Sequence, residues 1–144
     1  MDWAEARLSS NELSIITGSS QAKIRMWQNN GLYTPEQAAE GTGYLAKHSL
    51  RGALKIMVMN KLSRMGIKLA VARKIAKHYI DILDLIHDDY GELIMGPNDK
   101  FWIYTDSTGE NSSVDPAVTT CWDDVIGINL QTLVTFILDQ LENI

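Results

Sequence analysis

The sequence predicts an α+β fold that is mainly α, and three observations carry that expectation. Up to residue 88 the apolar side chains recur at helical spacing, in segments punctuated by glycine. From Glu92 onward the pattern changes to short alternating runs around a Gly-Pro-Asn-Asp turn. The charges divide near the same place. Residues 1–80 carry twelve basic against five acidic side chains (+7), and residues 81–144 carry Lys100 against thirteen acids (−12), which together give the net −5. A basic half can neutralise phosphates; an acidic half is repelled by them and has to face elsewhere.

In chain order, residues 1–10 read as a loose arm, with Trp3 and Leu8 tucked onto the body. A short helix over about 11–17 buries Leu13 and Ile16, and Gly18-Ser19 makes a tight turn. Ser20 is a good N-cap for a second helix, because its hydroxyl can accept from the free amides of the first turn. Gly31 stops that helix. On it, Ile24, Trp27 and Gln28 share one face, and Ala22, Arg25, Met26 and Asn29 share the opposite one. Residues 32–47 read as a short β-ribbon closed by Gly41-Thr42-Gly43. Ser49 caps a third helix to about Met65, striped by Leu50, Ala53, Leu54, Met57, Val58 and Leu62 and ended by Gly66. A fourth runs from about Leu69 to Asp88.

Beyond it, Glu92–Met95 and Lys100–Thr105 flank Gly96-Pro97-Asn98-Asp99 and predict a β-hairpin. Alternation puts Phe101 and Ile103 on one face and Trp102 and Tyr104 on the other, one for the core and one for an interface or, less favoured, a pocket. Residues 106–116 read as a mobile polar loop and Val118–Ile128 as a further strand region, broken near Asp123-Asp124. Asn129 caps a last helix. Its broad stripe of Leu133, Val134, Ile137, Leu138 and Leu141 has to be covered, by the hairpin sheet or by a second subunit, and a dimer interface is the expectation for it.

Two short helices joined by a glycine turn, the second amphipathic and cationic, are the pattern of a helix-turn-helix. Leu13, Thr17, Gly18, Ser20, Ile24, Arg25, Trp27, Gly31 and Leu32 together resemble the start of the MerR-type winged-helix regulators. The resemblance continues through Pro35, Gly43-Tyr44 and the segment Lys61–Leu69, and so covers residues 8–80 and no more. It implies a winged helix-turn-helix DNA-binding domain over 8–80, followed by an acidic α+β dimerisation or effector module over 81–144, with a small β-hairpin and a C-terminal helix.

On that resemblance the second helix enters a major groove. Ser20, Gln21, Lys23, Arg25 and Met26 lie at its leading end, and Arg25 is the best candidate for a bidentate contact to guanine or phosphate. Tyr44 belongs to the wing. The family usually places a backbone-contacting arginine after the wing Gly-Tyr; here Leu45 stands there, and Lys47 and His48 are the substitutes. Arg64 and Lys68, flanking Gly66, match places where the family offers backbone contacts.

Other chemistry finds little support. His48, His78, His87 and Cys121 are scattered, and adjacent aspartates point apart, so a metal site is not expected. No glycine-rich phosphate loop follows a strand and no nucleophile elbow appears; neither an enzyme nor a cofactor is expected. A single cysteine, no signal-like start and no membrane-length apolar run suggest a cytoplasmic protein. The expectation is a homodimeric transcriptional regulator on a palindromic promoter site, with RNA polymerase as a further partner and any small-molecule effector unknown. The alternatives are a recombination accessory factor of the excisionase kind and a protein-interaction module that binds no DNA.

Overall fold

The computed structural model describes residues 2–39, 45–85 and 102–144, residues 82–85 by their backbone. Helices α1 (Ser10–Thr17), α2 (Gln21–Asn29), α3 (Leu50–Arg64) and α4 (Leu69–Leu85) precede a small sheet and helix α5 (Leu130–Glu142). The sheet is antiparallel, ordered β2 (Ser112–Ser113), β1 (Trp102–Thr105), β3 (Ile126–Asn129). The α+β, mainly α expectation is met.

Local signals account for the helix ends. Ser9 caps α1 in a reciprocal arrangement with Glu12, each side chain accepting from the other's backbone amide. Gly18 and Gly31 sit at φ 71° and 70°, a region that costs glycine nothing. Ser20, Ser49 and Asn129 cap α2, α3 and α5, as read from the sequence. Helix α3 is the centre of the molecule. It is apolar almost all round, because α1, α4 and α5 each pack on a different side of it. Its burial therefore extends beyond the predicted stripe to Ile56, Met59 and Asn60.

The N-terminal arm is tied down, not loose. Leu8 exchanges backbone hydrogen bonds of 2.8 Å with His48, and the Arg51 amide donates to the Trp3 carbonyl at 2.9 Å. Trp3 and Leu8 are both buried.

Two further expectations change in the C-terminal half, and a third falls on residues that are not described. The first hairpin arm, its turn and Phe101 lie outside the described residues, as does the end of the predicted fourth helix. The second arm is β1, and it pairs with β2 and β3. The loop after it is fastened: the Asp106 carboxylate accepts from Thr108 and Asn111, and β2 lies within the loop. Those bonds hold the Asp106 carboxyl below its usual range, against the effect of desolvation. Residues 116–121 form a 3₁₀ helix instead of a strand, since Pro116 supplies the first-turn φ and Asp115 caps the Ala117 amide.

The α5 stripe is the main correction. Leu133, Val134 and Ile137 are buried within the chain against α1 and α3, and Leu138 and Leu141 pack at the edge of the same cluster. The first three cover the back of the helix-turn-helix and are not free to form a dimer interface, while Leu138 and Leu141 are only partly buried. One hydrophobic core thus runs through both halves of the chain, joining Leu13, Ile16 and Leu54 to Ile103, Ile128 and Leu130. Gly109 adds to the join: a Cβ there would lie 2.5 Å from Val71 Cγ1. The Tyr79 hydroxyl also donates to Ser112 Oγ at 2.9 Å.

Candidate nucleic-acid interface

The turn between α1 and α2 is fixed from within. Ser14 Oγ donates to the Ser19 carbonyl at 2.6 Å, and Thr17 Oγ1 donates to the Leu13 carbonyl while accepting from the Ser19 amide. Behind the turn, Asn60 of α3 donates from Nδ2 to Ser19 Oγ at 2.7 Å. Its Oδ1 accepts from Lys23 Nζ at 2.6 Å. Asn60 and Ser19 are both buried, so these bonds set the angle of α2 on α3 and bring the start of α2 beside the last turn of α3.

Helix α2 then has two unlike sides. Ile24 and Trp27 are sealed into the core and Gln28 is half-buried. Ala22, Arg25, Met26 and Asn29 point outward. Met26 is 51 % exposed, unusual for methionine, and Arg25 makes no hydrogen bond or ion pair with a described residue. The described part of the acidic half packs on α1, α3 and α4, and among the described residues nothing covers this side.

Lys23 requires a correction. It lies one turn before Trp27, on the flank of the buried stripe, with its ammonium 4.9 Å from the indole centroid and bonded to Asn60. It braces α2 against α3 and does not project with Arg25. Ser20 caps the helix through the Lys23 amide, and Gln21 donates to Asn11 Oδ1 at 3.3 Å, an exposed bond that a competing partner can replace.

The wing is seen at its base. Gln37 and Lys47 exchange backbone hydrogen bonds of 3.0 and 2.9 Å, and the Lys47 side chain is exposed. Leu45 is exposed to 84 %. Tyr44 lies outside the described residues. Arg64 and Lys68 are exposed on either side of Gly66, whose φ of 92° turns α3 into α4.

His48 is the second cation to be corrected. Its side chain is fully buried. Nδ1 lies 2.7 Å from the Tyr33 hydroxyl and Nε2 lies 3.1 Å from Ser10 Oγ. Burial lowers the imidazole pKa, so at neutral pH the ring is uncharged. Burial, and after it the Glu36 carboxylate, hold the Tyr33 phenol well above its usual range. The uncharged ring carries one N–H, so it donates to one of the Tyr33 and Ser10 hydroxyls and accepts from the other. This chain joins the wing entry to α1 just ahead of α3, and the imidazole itself is sealed from solvent.

Sequence reasoning missed Asn60, Ser14, Ser19 and Tyr33. One signal for Asn60 was present: Ile56 and Met59 make α3 apolar on every side, so a polar residue beside them has to find an interior partner. Among the described residues, no group of three or more His, Cys, Asp or Glu side chains is placed to hold a metal ion. No described helix is long and apolar enough to cross a membrane.

A glycine-turn helix pair with an uncovered cationic outer helix, a ribbon base beside it and a helical hairpin behind defines a helix-turn-helix protein of the winged, DNA-binding class. The sequence profile described as "MerR HTH family regulatory protein" matches residues 8–79, half of the chain. The chain belongs to that family and is a DNA-binding transcription regulator of MerR type. No curated protein matches it.

Proposed function

We propose that the protein is a homodimeric regulator that recognises a palindromic promoter site through α2. In this reading residues 8–80 form the DNA-binding domain and residues 81–144 an acidic module serving dimerisation. Arg25, Met26 and Gln21 meet base edges in the major groove, and Ser20 lies at the helix start beside the backbone. Lys47, Arg64 and Lys68 contact phosphates, and Tyr44 belongs to the wing that approaches the backbone. The observation that carries the reading is the outward face of α2, bearing Arg25 without a described partner and held at a fixed angle by the Ser19–Asn60–Lys23 bonds.

Two-fold symmetry follows from the usual way such helices read half-sites. Because the α5 stripe is spent inside the protomer, the contact between copies falls elsewhere. The outer sheet face supports this, where Trp102 and Tyr104 stack 6.3 Å apart and remain partly exposed. The acidic module faces away from the duplex by its charge, which leaves it open to RNA polymerase.

Selection of bound duplexes from a random pool, followed by anisotropy titration, tests the reading. Arg25→Ala is expected to weaken binding of the selected site by about 1–3 kcal/mol and to relax preference at one base position. Lys68→Ala should weaken all sequences alike and lower the salt slope by about one. Light scattering should give two chains per particle, with the footprint symmetric. An Arg25→Ala protein that binds its site like the parent sinks the proposal.

A further inference from the structure

Between the entry to the wing, α3 and α4 lies a half-open cavity of about 300 Å³, and none of its lining residues belongs to α2 or to the α3–α4 turn. Leu32, Met59 and Ala76 give it apolar walls, while Lys55 of α3 and Arg73 and Lys77 of α4 surround it with cations. Arg73 and Lys77 are one helical turn apart on the same face of α4. Lys55 is held by Asp81 at 2.8 Å. Arg73 and Lys77 make no hydrogen bond or ion pair with a described residue, although Arg73 is half-buried.

Each feature alone has an ordinary explanation. Lysines on a helix are commonly a solvated face, and a shallow apolar dent is commonly imperfect packing. Their coincidence is different: a half-buried arginine borders open apolar volume, and a like charge one turn away adds repulsion that an anion would relieve. The volume lies at the small end of ligand-binding sites and has no room for a macromolecular segment. A duplex phosphate would use the cations and leave the apolar walls idle.

We propose that this cavity binds a small amphiphilic organic anion, a carboxylate or phosphate monoester on an apolar body. The head group lies between Arg73 and Lys77, and the body lies against Leu32, Met59 and Ala76. The binding does not depend on the DNA reading and is measured without DNA.

Anilinonaphthalene sulfonate serves as the probe on the full chain, with phenylnaphthylamine as its uncharged counterpart. One saturable site per chain is expected, about tenfold tighter for the sulfonate than for the neutral dye. Arg73→Ala/Lys77→Ala should weaken it by about tenfold, and Asp81→Asn should tighten it by about twofold, because Lys55 is released. Dodecanoate should displace the dye and inorganic phosphate should not. Both alanines sit on a helix surface and suit a helix; Arg73→Gln/Lys77→Gln makes the same charge change should the first pair fail to fold.

Equal affinity for the neutral dye, or unchanged binding by the double variant, overturns the proposal. Displacement by inorganic phosphate at the same concentration as dodecanoate also overturns it, in favour of a bare anion site. A double variant that loses DNA affinity as Lys68→Ala does, while keeping the dye, assigns the two cations to the duplex and overturns it as well.

Discussion

Removing Asn60 should loosen the joint that aims α2. Asn60 is 7 % exposed and Ser19 5 %, so water cannot readily replace the bond between them. Asn60→Ala leaves the Ser19 hydroxyl without its partner, at a cost of about 1–3 kcal/mol. The bond from Lys23 is charge-assisted, but that side chain is only half-buried and its ammonium can swing into solvent, so its loss adds about 1 kcal/mol. The combined loss is about 2–4 kcal/mol, or about 5–12 °C in Tm for a chain of 144 residues. Urea unfolding followed by tryptophan fluorescence measures it, with Trp27 beside Lys23 as a local reporter. Asn60→Asp keeps an acceptor for Lys23 and can accept from the Ser19 hydroxyl, so it should lose less than half as much. Where both variants remain folded, Asn60→Ala should also bind DNA more weakly, since α2 no longer has one orientation. An alanine variant within about 0.5 kcal/mol of the parent, or an aspartate variant as damaged as alanine, refutes the reasoning.

Three further outcomes follow from the packing. Ile137→Ala should cost about 2–5 kcal/mol, with the loss relative to the parent the same at every protein concentration, because this side chain is core within one chain; a loss that shrinks or grows with concentration would return the α5 stripe to a dimer interface. Gly109→Ala should destabilise by about 2 kcal/mol or more, since its φ is 77° and its Cβ would overlap Val71; thermal melting that matches the parent contradicts this close approach. His48 is buried with a pKa below its ordinary 6.5, so as pH falls the unfolded chain takes the proton first. Its contribution is complete above about pH 7.5 and is lost as pH drops through 6.5 toward the folded value, with a slope of at most about 1.4 kcal/mol per pH unit. Stability of His48→Gln should therefore fall less than that of the parent between pH 7.5 and 5, and parallel curves would rule the titration out.

Much of the helix-turn-helix could be read because its signals are local. Ser20 and Ser49 act on amides three residues away, and Gly18, Gly31 and Gly66 supply left-handed backbone where a helix has to end. The 3₁₀ helix had an equally local signal in Asp115-Pro116, which the β-branched run after it obscured. Long cations were harder. Lys23 and Arg25 are two residues apart and alike in charge, yet one bonds to a buried asparagine thirty-seven residues away and the other faces solvent. Nothing within a helical turn of Lys23 announces Asn60.

The sequence by itself determined the order of helices, the caps Ser20, Ser49 and Asn129, the place of the glycine turn, the outward set Ala22, Arg25, Met26 and Asn29, and the family. Each depends on interactions within about four residues or on a pattern repeated along one helix. Only the tertiary structure decided that α5 covers α1 and α3 within one chain, that His48 is an uncharged core residue, and that Lys23 braces a joint. An apolar stripe states that it has to be buried and not by what, and a titratable side chain takes its charge from surroundings that distant segments supply.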